Sequence, residues 1–486
     1  MSKDLRNTIA SSIAAYVEVI FGLVISIILA RGMGRDQYGL YSYYIWLIAL
    51  FVILTNNGIT TAAIKFTAES NSREKLERYT NALVQYLEKI QFRSILVVLL
   101  IAFLMFYYQT REIFLTGVLL ISVVLRSRYM LHLSLIKGYE SFGMISKLMA
   151  IISPLNLLLV TGVYYLFNEL DYYIYTFAAI SFLYYFISHT FTNKLASKTE
   201  IITIIREGDK SRIKSHIAYT SVISIMSFIV IRQSEIFFLK MYAPVEQVAF
   251  FNIGFMISLM SASLVPGVYS NILLPITSKI DKNNKIEHAK KLLSSIHYLL
   301  LLAMPLIVFI FVFSSNVIVA LYGTNYREAG EVLKYLIIAS SLLVVSHSAT
   351  SFLMGSDRQK VYLVILLSTG IVTILIDYFL IKKYFLTGAI IAYTSSSAIL
   401  VAALFIKTRI ILKLKYEFVL YLKILLSAVA PIPILKLANH SEVSILYLAI
   451  YGVIYLVMYL VVSLFVGCWP KEVKEYLHTR FSSSRN

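Results

Sequence analysis

The sequence predicts an all-α integral membrane protein with about fourteen transmembrane helices, arranged as two parallel six-helix bundles and two additional C-terminal helices. Three observations predict this fold. Of 486 residues, 59% are hydrophobic and only 14% charged, with a mean hydropathy of +0.77; soluble domains carry about a quarter charged residues. Apolar runs recur along the whole chain, each long enough for the roughly 20 helical residues that cross a bilayer core. A short pattern also returns about 210 residues later, as it would in a chain built from two similar halves.

The runs fall at residues 8–30, 39–64, 92–108, 113–136, 144–167, 172–191, 216–239, 248–277, 296–321, 332–354, 361–381, 386–406, 418–435 and 443–466. The opening MSKDLRNTIA is short and polar, and no small-residue cleavage site follows the first run, so that run is expected to stay as a helix. Pro154, Pro266, Pro275 and Pro305 lie inside or near the ends of runs and predict kinks, which membrane bundles tolerate. The expected organisation is an N-terminal bundle over 1–193, a linker over 194–215, a second bundle over 216–410, and two helices with a tail over 411–486.

Orientation follows from the basic residues. With the N-terminus inside, inner segments hold about 31 Lys and Arg, outer segments about 8 and spans about 5. That bias places both termini and the loops 65–93, 194–214 and 279–291 in the cytoplasm. The same bias accounts for the net charge of +18 without invoking nucleic acid. The single cysteine, Cys468, and eight scattered histidines give no metal-ligand spacing, so no metal or cofactor is expected.

The internal echo lies in two stretches. Residues 29–41 read LARGMGRDQYGLY and residues 239–251 read LKMYAPVEQVAFF; acid-Gln, a small residue and an aromatic recur in both. Six spans separate the copies, an even number, so the halves run parallel.

The first stretch resembles the Leu-Ala-Arg-x-Leu-Gly-x-x-x-Tyr-Gly-x-Tyr signature of the polysaccharide-transporter (Wzx-type) flippases, within the multidrug/oligosaccharidyl-lipid/polysaccharide exporter superfamily. Met33 takes the place of the usual Leu. Pro275-Ile276-Thr277, the segment 321–326 (LYGTNY) with Ala329, and Glu235 ahead of the second copy add to the likeness. The resemblance implies a protein that moves undecaprenyl-pyrophosphate-linked oligosaccharides to the outer leaflet of the bacterial cytoplasmic membrane. Other polysaccharide-assembly proteins would be its partners. MATE-type drug exporters and lipid II flippases share this fold and are the near alternatives. A polysaccharide polymerase or ligase would need a large outer loop, and none is present, so an enzyme is not expected.

A charged sugar-phosphate head cannot cross hydrocarbon bare. The carrier therefore needs a hydrated cavity with cations, preferably Arg, whose fork pairs with two phosphate oxygens. The candidates are Arg126, Arg232, Arg31, Lys65 and Arg128. Arg126 and Arg128 lie about 200° apart on a helix, so one of them faces the cavity; Arg126, on the face of Ser122, is preferred. Asn56, Asn57, Ser224 and Ser227 are expected to line it. The acids within spans are Glu18, on a stripe with Ser11, Ala15, Gly22 and Ser26; Glu235; and Asp377, continuing Thr369 and Thr373. They either bind Na⁺ or H⁺ for antiport or hold the cavity arginines. On a continuous seventh helix, His216, Thr220, Ser221, Ser224, Ser227, Arg232, Ser234 and Glu235 share an arc of about 160°. Arg232 and Glu235 then pair at i, i+3. His132, His189 and His347 read as bundle residues satisfied by neighbours.

Overall fold

The structure is a computed structural model that describes residues 3–72, 80–196, 205–231, 233–264, 284–356, 358–437 and 444–470. Among these, every regular element is helical. The helices are α1 (Lys3–Asn56), α2 (Ile59–Ser72), α3 (Thr80–Thr110), α4 (Ile113–Gly138), α5 (Phe142–Leu166), α6 (Leu170–Ala196), α7 (Glu207–Ile231), α8 (Glu235–Tyr242), α9 (Val245–Leu264), α10 (Lys285–Tyr322), α11 (Glu328–Gly355), α12 (Gln359–Leu412), α13 (Phe418–Val429), α14 (Ile432–Leu437) and α15 (Ile445–Val466).

Twelve helical segments are long and apolar enough to cross a membrane. Two are far longer than one crossing needs: Tyr16–Asn56 with 41 residues and Gln359–Leu412 with 54. A straight 54-residue helix would reach about 80 Å, against a hydrocarbon core of about 30 Å. Both are broken by one residue with positive φ, Gly34 (φ 71°) in α1 and Phe385 (φ 50°) in α12. At Phe385 the chain doubles back so tightly that a Cβ on Gly388 would strike the Leu380 carbonyl. Each long helix is therefore two spans, and the protein is an all-α, multi-pass membrane protein of about fourteen crossings.

Three expected spans differ in detail. The second, expected over 39–64, stops at Asn56, because Asn57 (φ 30°) and Gly58 (φ 76°) leave helical space and α2 restarts at Ile59. The seventh, expected over 216–239, is two helices, since Gln233 (φ 65°) resets the axis between α7 and α8. Of the eighth, the structure describes Val245–Leu264; Pro266, Pro275, Ile276 and Thr277 lie outside the described residues. Pro154 and Pro305 are accommodated inside α5 and α10, and the one non-helical residue in α10 is Phe313.

The chain forms two compact units. One comprises Met1–Asn252 with Leu366–Ala392, the other Ile253–Ile365 with Tyr393–Asn486. In the first unit α7 packs on α1 and α2, and α8 on α1. Within the first unit the two echoing stretches meet. Arg35 Nε lies 3.0 Å from Glu246 Oε2, Asn252 Nδ2 donates to Ser42 Oγ at 3.0 Å, and Gly39 leaves no room for a Cβ beneath the Val245 carbonyl.

Lipid tails are as apolar as leucine, so these helices associate through close packing and interhelical hydrogen bonds. In the first unit Ile59, Phe66, Leu83, Leu87, Leu131 and Leu135 are buried where α2, α3 and α4 meet. In the second, Tyr455 Oη donates to the Ala428 carbonyl at 2.8 Å and Tyr459 Oη to the Leu301 carbonyl at 2.7 Å, fastening α15 to α13 and α10. The outward stripe of α3 carries exposed Leu96, Val97, Leu100 and Leu104, a surface suited to acyl chains.

Candidate functional site

The first unit holds a cavity of about 370 Å³ lined by Val52, Ile53, Asn56, Asn57, Gly58, Thr60, Met130, Ser224, Ser227, Phe228 and Ile231. The α7 residues among them fall at i, i+3, i+4 and i+7, one stripe of a helix. The break between α1 and α2 forms another wall. Asn adopts positive φ more readily than most residues. Gly58 is required twice over: by its φ and because a Cβ would collide with Ile217 O, Thr220 Oγ1 and Ser221 N of α7.

Backbone carbonyls released at a helix break need new donors. Ser221 Oγ donates to the Asn57 carbonyl at 2.6 Å, and Thr61 Oγ1 to the Gly58 carbonyl at 2.7 Å. Behind this wall, Gln91 of α3 donates through Nε2 to Asn56 Oδ1 (2.9 Å) and to the Ser127 carbonyl (2.7 Å). Thr55 and Ser127 share a hydroxyl–hydroxyl bond of 2.6 Å. Asn57 Oδ1 and Gln91 Oε1 keep no hydrogen-bond partner. Gln91 was not among the sequence candidates, since a single Gln at the edge of an apolar run gives no sign of what it will meet. Asn56-Asn57-Gly58 did carry a signal, because Asn-Gly is turn chemistry even inside a hydrophobic segment.

The structure brings Asn56, Asn57, Ser224 and Ser227 to one cavity. Of the candidate cations, Arg126, Arg128, Lys65 and Arg31 are not among the lining residues. Arg126 lies one helical turn from Met130 on α4 and packs toward α6. Its Nε donates to Ser181 Oγ at 2.9 Å, and its guanidinium carbon is 4.7 Å from the Phe177 ring centre and 4.6 Å from that of Tyr184. Arg128 turns toward α3, 6.0 Å from the Phe92 ring. The two arginines thus diverge, as their helical spacing requires. Lys65 is exposed on α2 beside Phe66, and Arg31 is exposed near the Gly34 break. Arg232 lies outside the described residues.

The acids separate into two environments. Glu18 is exposed on α1 and acts electrostatically on Lys137 and Tyr184. Glu235 and Asp377 are almost fully buried and interact electrostatically with each other. Ser234 Oγ donates to Asp377 Oδ2 at 2.6 Å, while Asp377 Oδ1 and Glu235 Oε2 have no hydrogen-bond partner among the described residues. Asp377 does continue Thr369 and Thr373, all buried on one face of α12. The expected pairing of Arg232 with Glu235 lies outside the described residues; Gln233, with positive φ, interrupts the helix ahead of Glu235. The same break takes Ser234 and Glu235 out of the polar arc of α7 and sets them against α12. Two buried carboxylate oxygens without a hydrogen-bond partner among the described residues are costly to keep charged.

Residues 28–331 match a family model described as "Polysaccharide biosynthesis protein". Solved structures share the fold at low identity. A lipid II flippase MurJ in an inward closed conformation aligns with a TM-score of 0.74 and 16% identity, over 94% of this chain and 98% of that one. A MOP superfamily transporter from Pyrococcus furiosus aligns at 0.60 and 14%, over 85% and 95%. An inward-facing multidrug resistance MATE family transporter aligns at 0.61 and 13%, over 84% and 98%. No curated protein sequence matches the chain.

Proposed function

Because the chain belongs to the polysaccharide biosynthesis family and has the fold of membrane transporters, we propose that it is a flippase for undecaprenyl-pyrophosphate-linked oligosaccharides. It would carry them from the inner to the outer leaflet of the bacterial cytoplasmic membrane by alternating access. The observation that carries this reading is the character of the 370 Å³ cavity, whose polar lining is uncharged amide and hydroxyl. Such groups suit sugar hydroxyls, which both donate and accept hydrogen bonds. The volume lies in the range of small-ligand sites. A site for a lipophilic cation would place a carboxylate in the wall, and the described lining residues include no Asp or Glu.

The test is reconstitution in liposomes. Synthetic undecaprenyl-pyrophosphate glycans should flip, lipid II should flip more slowly, and cationic dyes should not be transported. Modifying Ser227→Cys with a hydrophilic thiol reagent should stop flipping, and the same treatment of Ile225→Cys should not. Dye export without glycan movement would overturn the proposal.

We further place both termini and the 194–214 loop in the cytoplasm, on the distribution of Lys and Arg. Reporter fusions within that loop should be active only as cytoplasmic reporters, and the opposite pattern would reverse the transport direction.

A further inference from the structure

A second polar cluster lies in the first unit and takes no part in the cavity. Glu88 of α3, His132 of α4 and His189 of α6 each bring one ligand atom to a common point, all within 4.8 Å of one another. His132 Nε2 is 3.2 Å from His189 Nδ1 and 3.8 Å from Glu88 Oε1. His132 is buried, whereas Glu88 and His189 remain partly accessible, so the cluster has a solid back and a reachable front.

A count of protons shows why hydrogen bonds alone serve this cluster poorly. Asn193 Nδ2 lies 3.0 Å from His189 Nε2. If the amide donates there, His189 carries its proton on Nδ1 and gives it to His132 Nε2. Neutral His132 then holds its own proton on Nδ1, a buried nitrogen with no partner. His132 Nε2 and the Glu88 carboxylate are left as two acceptors facing each other. In that arrangement two lone pairs, one from α3 and one from α4, face each other with no proton between them.

We infer that Glu88, His132 and His189 form a binding site for a divalent transition-metal ion of the Zn²⁺ class. Two imidazoles and one carboxylate are a recurrent ligand set for such ions, and they leave a fourth position for water. Metal–nitrogen bonds of 2.0–2.1 Å imply tetrahedral ligand edges of about 3.4 Å. The two measured edges bracket that value, and a small rotation of the exposed Glu88 side chain closes the third. In the occupied site His132 Nε2, His189 Nδ1 and a Glu88 oxygen are the ligands. The freed His189 Nε2–H then turns to Asn193, whose amide rotates to offer its oxygen, the outer-shell bond that metal-bound histidines usually make. Arg128, one turn before His132 on α4, acts on that histidine electrostatically, and the Glu88 carboxylate offsets its charge. Occupancy would tie α3, α4 and α6 together at the ends that the Lys and Arg distribution places in the cytoplasm.

The test uses the full-length protein, purified in detergent without a polyhistidine tag. Calorimetric titration with Zn²⁺ should show one saturable site per chain, and thermal unfolding should shift upward with Zn²⁺ by mass action. Co²⁺ should give the visible absorption of a low-coordinate nitrogen–oxygen site. Affinity should fall about 10- to 100-fold or more in His189→Gln and Glu88→Gln. Both residues are partly exposed, so these variants test the site even if His132→Ala fails to fold. His347→Ala, altered at a histidine outside the cluster, should bind as the unaltered protein does. Absence of saturable binding, or binding unchanged in both His189→Gln and Glu88→Gln, would overturn the inference.

Discussion

Asp377→Asn is expected to uncouple the transporter, leaving a folded, inserted protein whose glycan translocation no longer responds to an ion gradient. The substitution keeps an oxygen to accept the Ser234 hydroxyl, so the 2.6 Å bond survives and only the charge is removed. The pair then holds one ionisable carboxyl, and a cation bridging the two would lose half its ligand charge. We expect translocation driven by the coupling gradient to fall at least tenfold, about 1.4 kcal/mol in barrier terms. Glu235→Gln should do the same, because its unsatisfied Oε2 shares the site. Imposing Na⁺ and proton gradients separately on proteoliposomes identifies the ion. If the acids only hold α8 against α12, both variants will keep the gradient dependence of the unaltered protein, and the coupling assignment fails.

The second large effect belongs to Arg126→Ala, which should abolish export while the chain still inserts. Only Nε of its guanidinium is committed, to Ser181, and no ion pair with an acid engages it among the described residues. The guanidinium carbon lies over the Phe177 and Tyr184 rings, and a cation partly withdrawn from water makes a stronger phosphate contact. Losing a charged, partly desolvated bond to pyrophosphate should cost about 2–5 kcal/mol of head-group binding. Arg126→Lys should recover part of that, since it restores charge without the fork or the stacking plane. Ser181→Ala separates the alternatives. It removes the clip between α4 and α6 but leaves the cation, so it should retain export. A Ser181→Ala protein as inactive as Arg126→Ala would mean that the arginine only fastens two helices, and full export by Arg126→Ala would remove it from the site altogether.

The neutral wall and the acid pair were legible to different degrees. Ser224 and Ser227 sit at helical spacing on one helix, and Asn56-Asn57-Gly58 is a polar interruption in an apolar run. Both are local patterns, and both reach the cavity. The partnership of Glu235 with Asp377 was not legible, because it joins residues that follow a helix break and lie about 140 positions apart in the chain, as the neighbouring Ser234–Asp377 bond shows. On a continuous helix Ser234 and Glu235 would share the polar arc of the seventh span; the positive φ of Gln233 takes them out of it. No propensity predicts that conformation for glutamine; packing imposes it.

The sequence by itself determined that this protein is a many-span helical membrane protein with a strongly basic charge balance. Hydrophobic run length and charge distribution are one-dimensional quantities, and the bilayer reads them directly. The two echoing segments are likewise a pattern in the residue order, and they meet through Arg35, Glu246 and Gly39. Tertiary structure alone decided which way Arg126 and Arg128 turn, and that Gln91 braces the cavity wall. It alone brought together His132 and His189, which lie 57 residues apart. These outcomes depend on how three or more helices are rotated about their own axes. In lipid that rotation is settled by small-residue packing and hydrogen bonds between helices, which the residue order of any one helix does not contain.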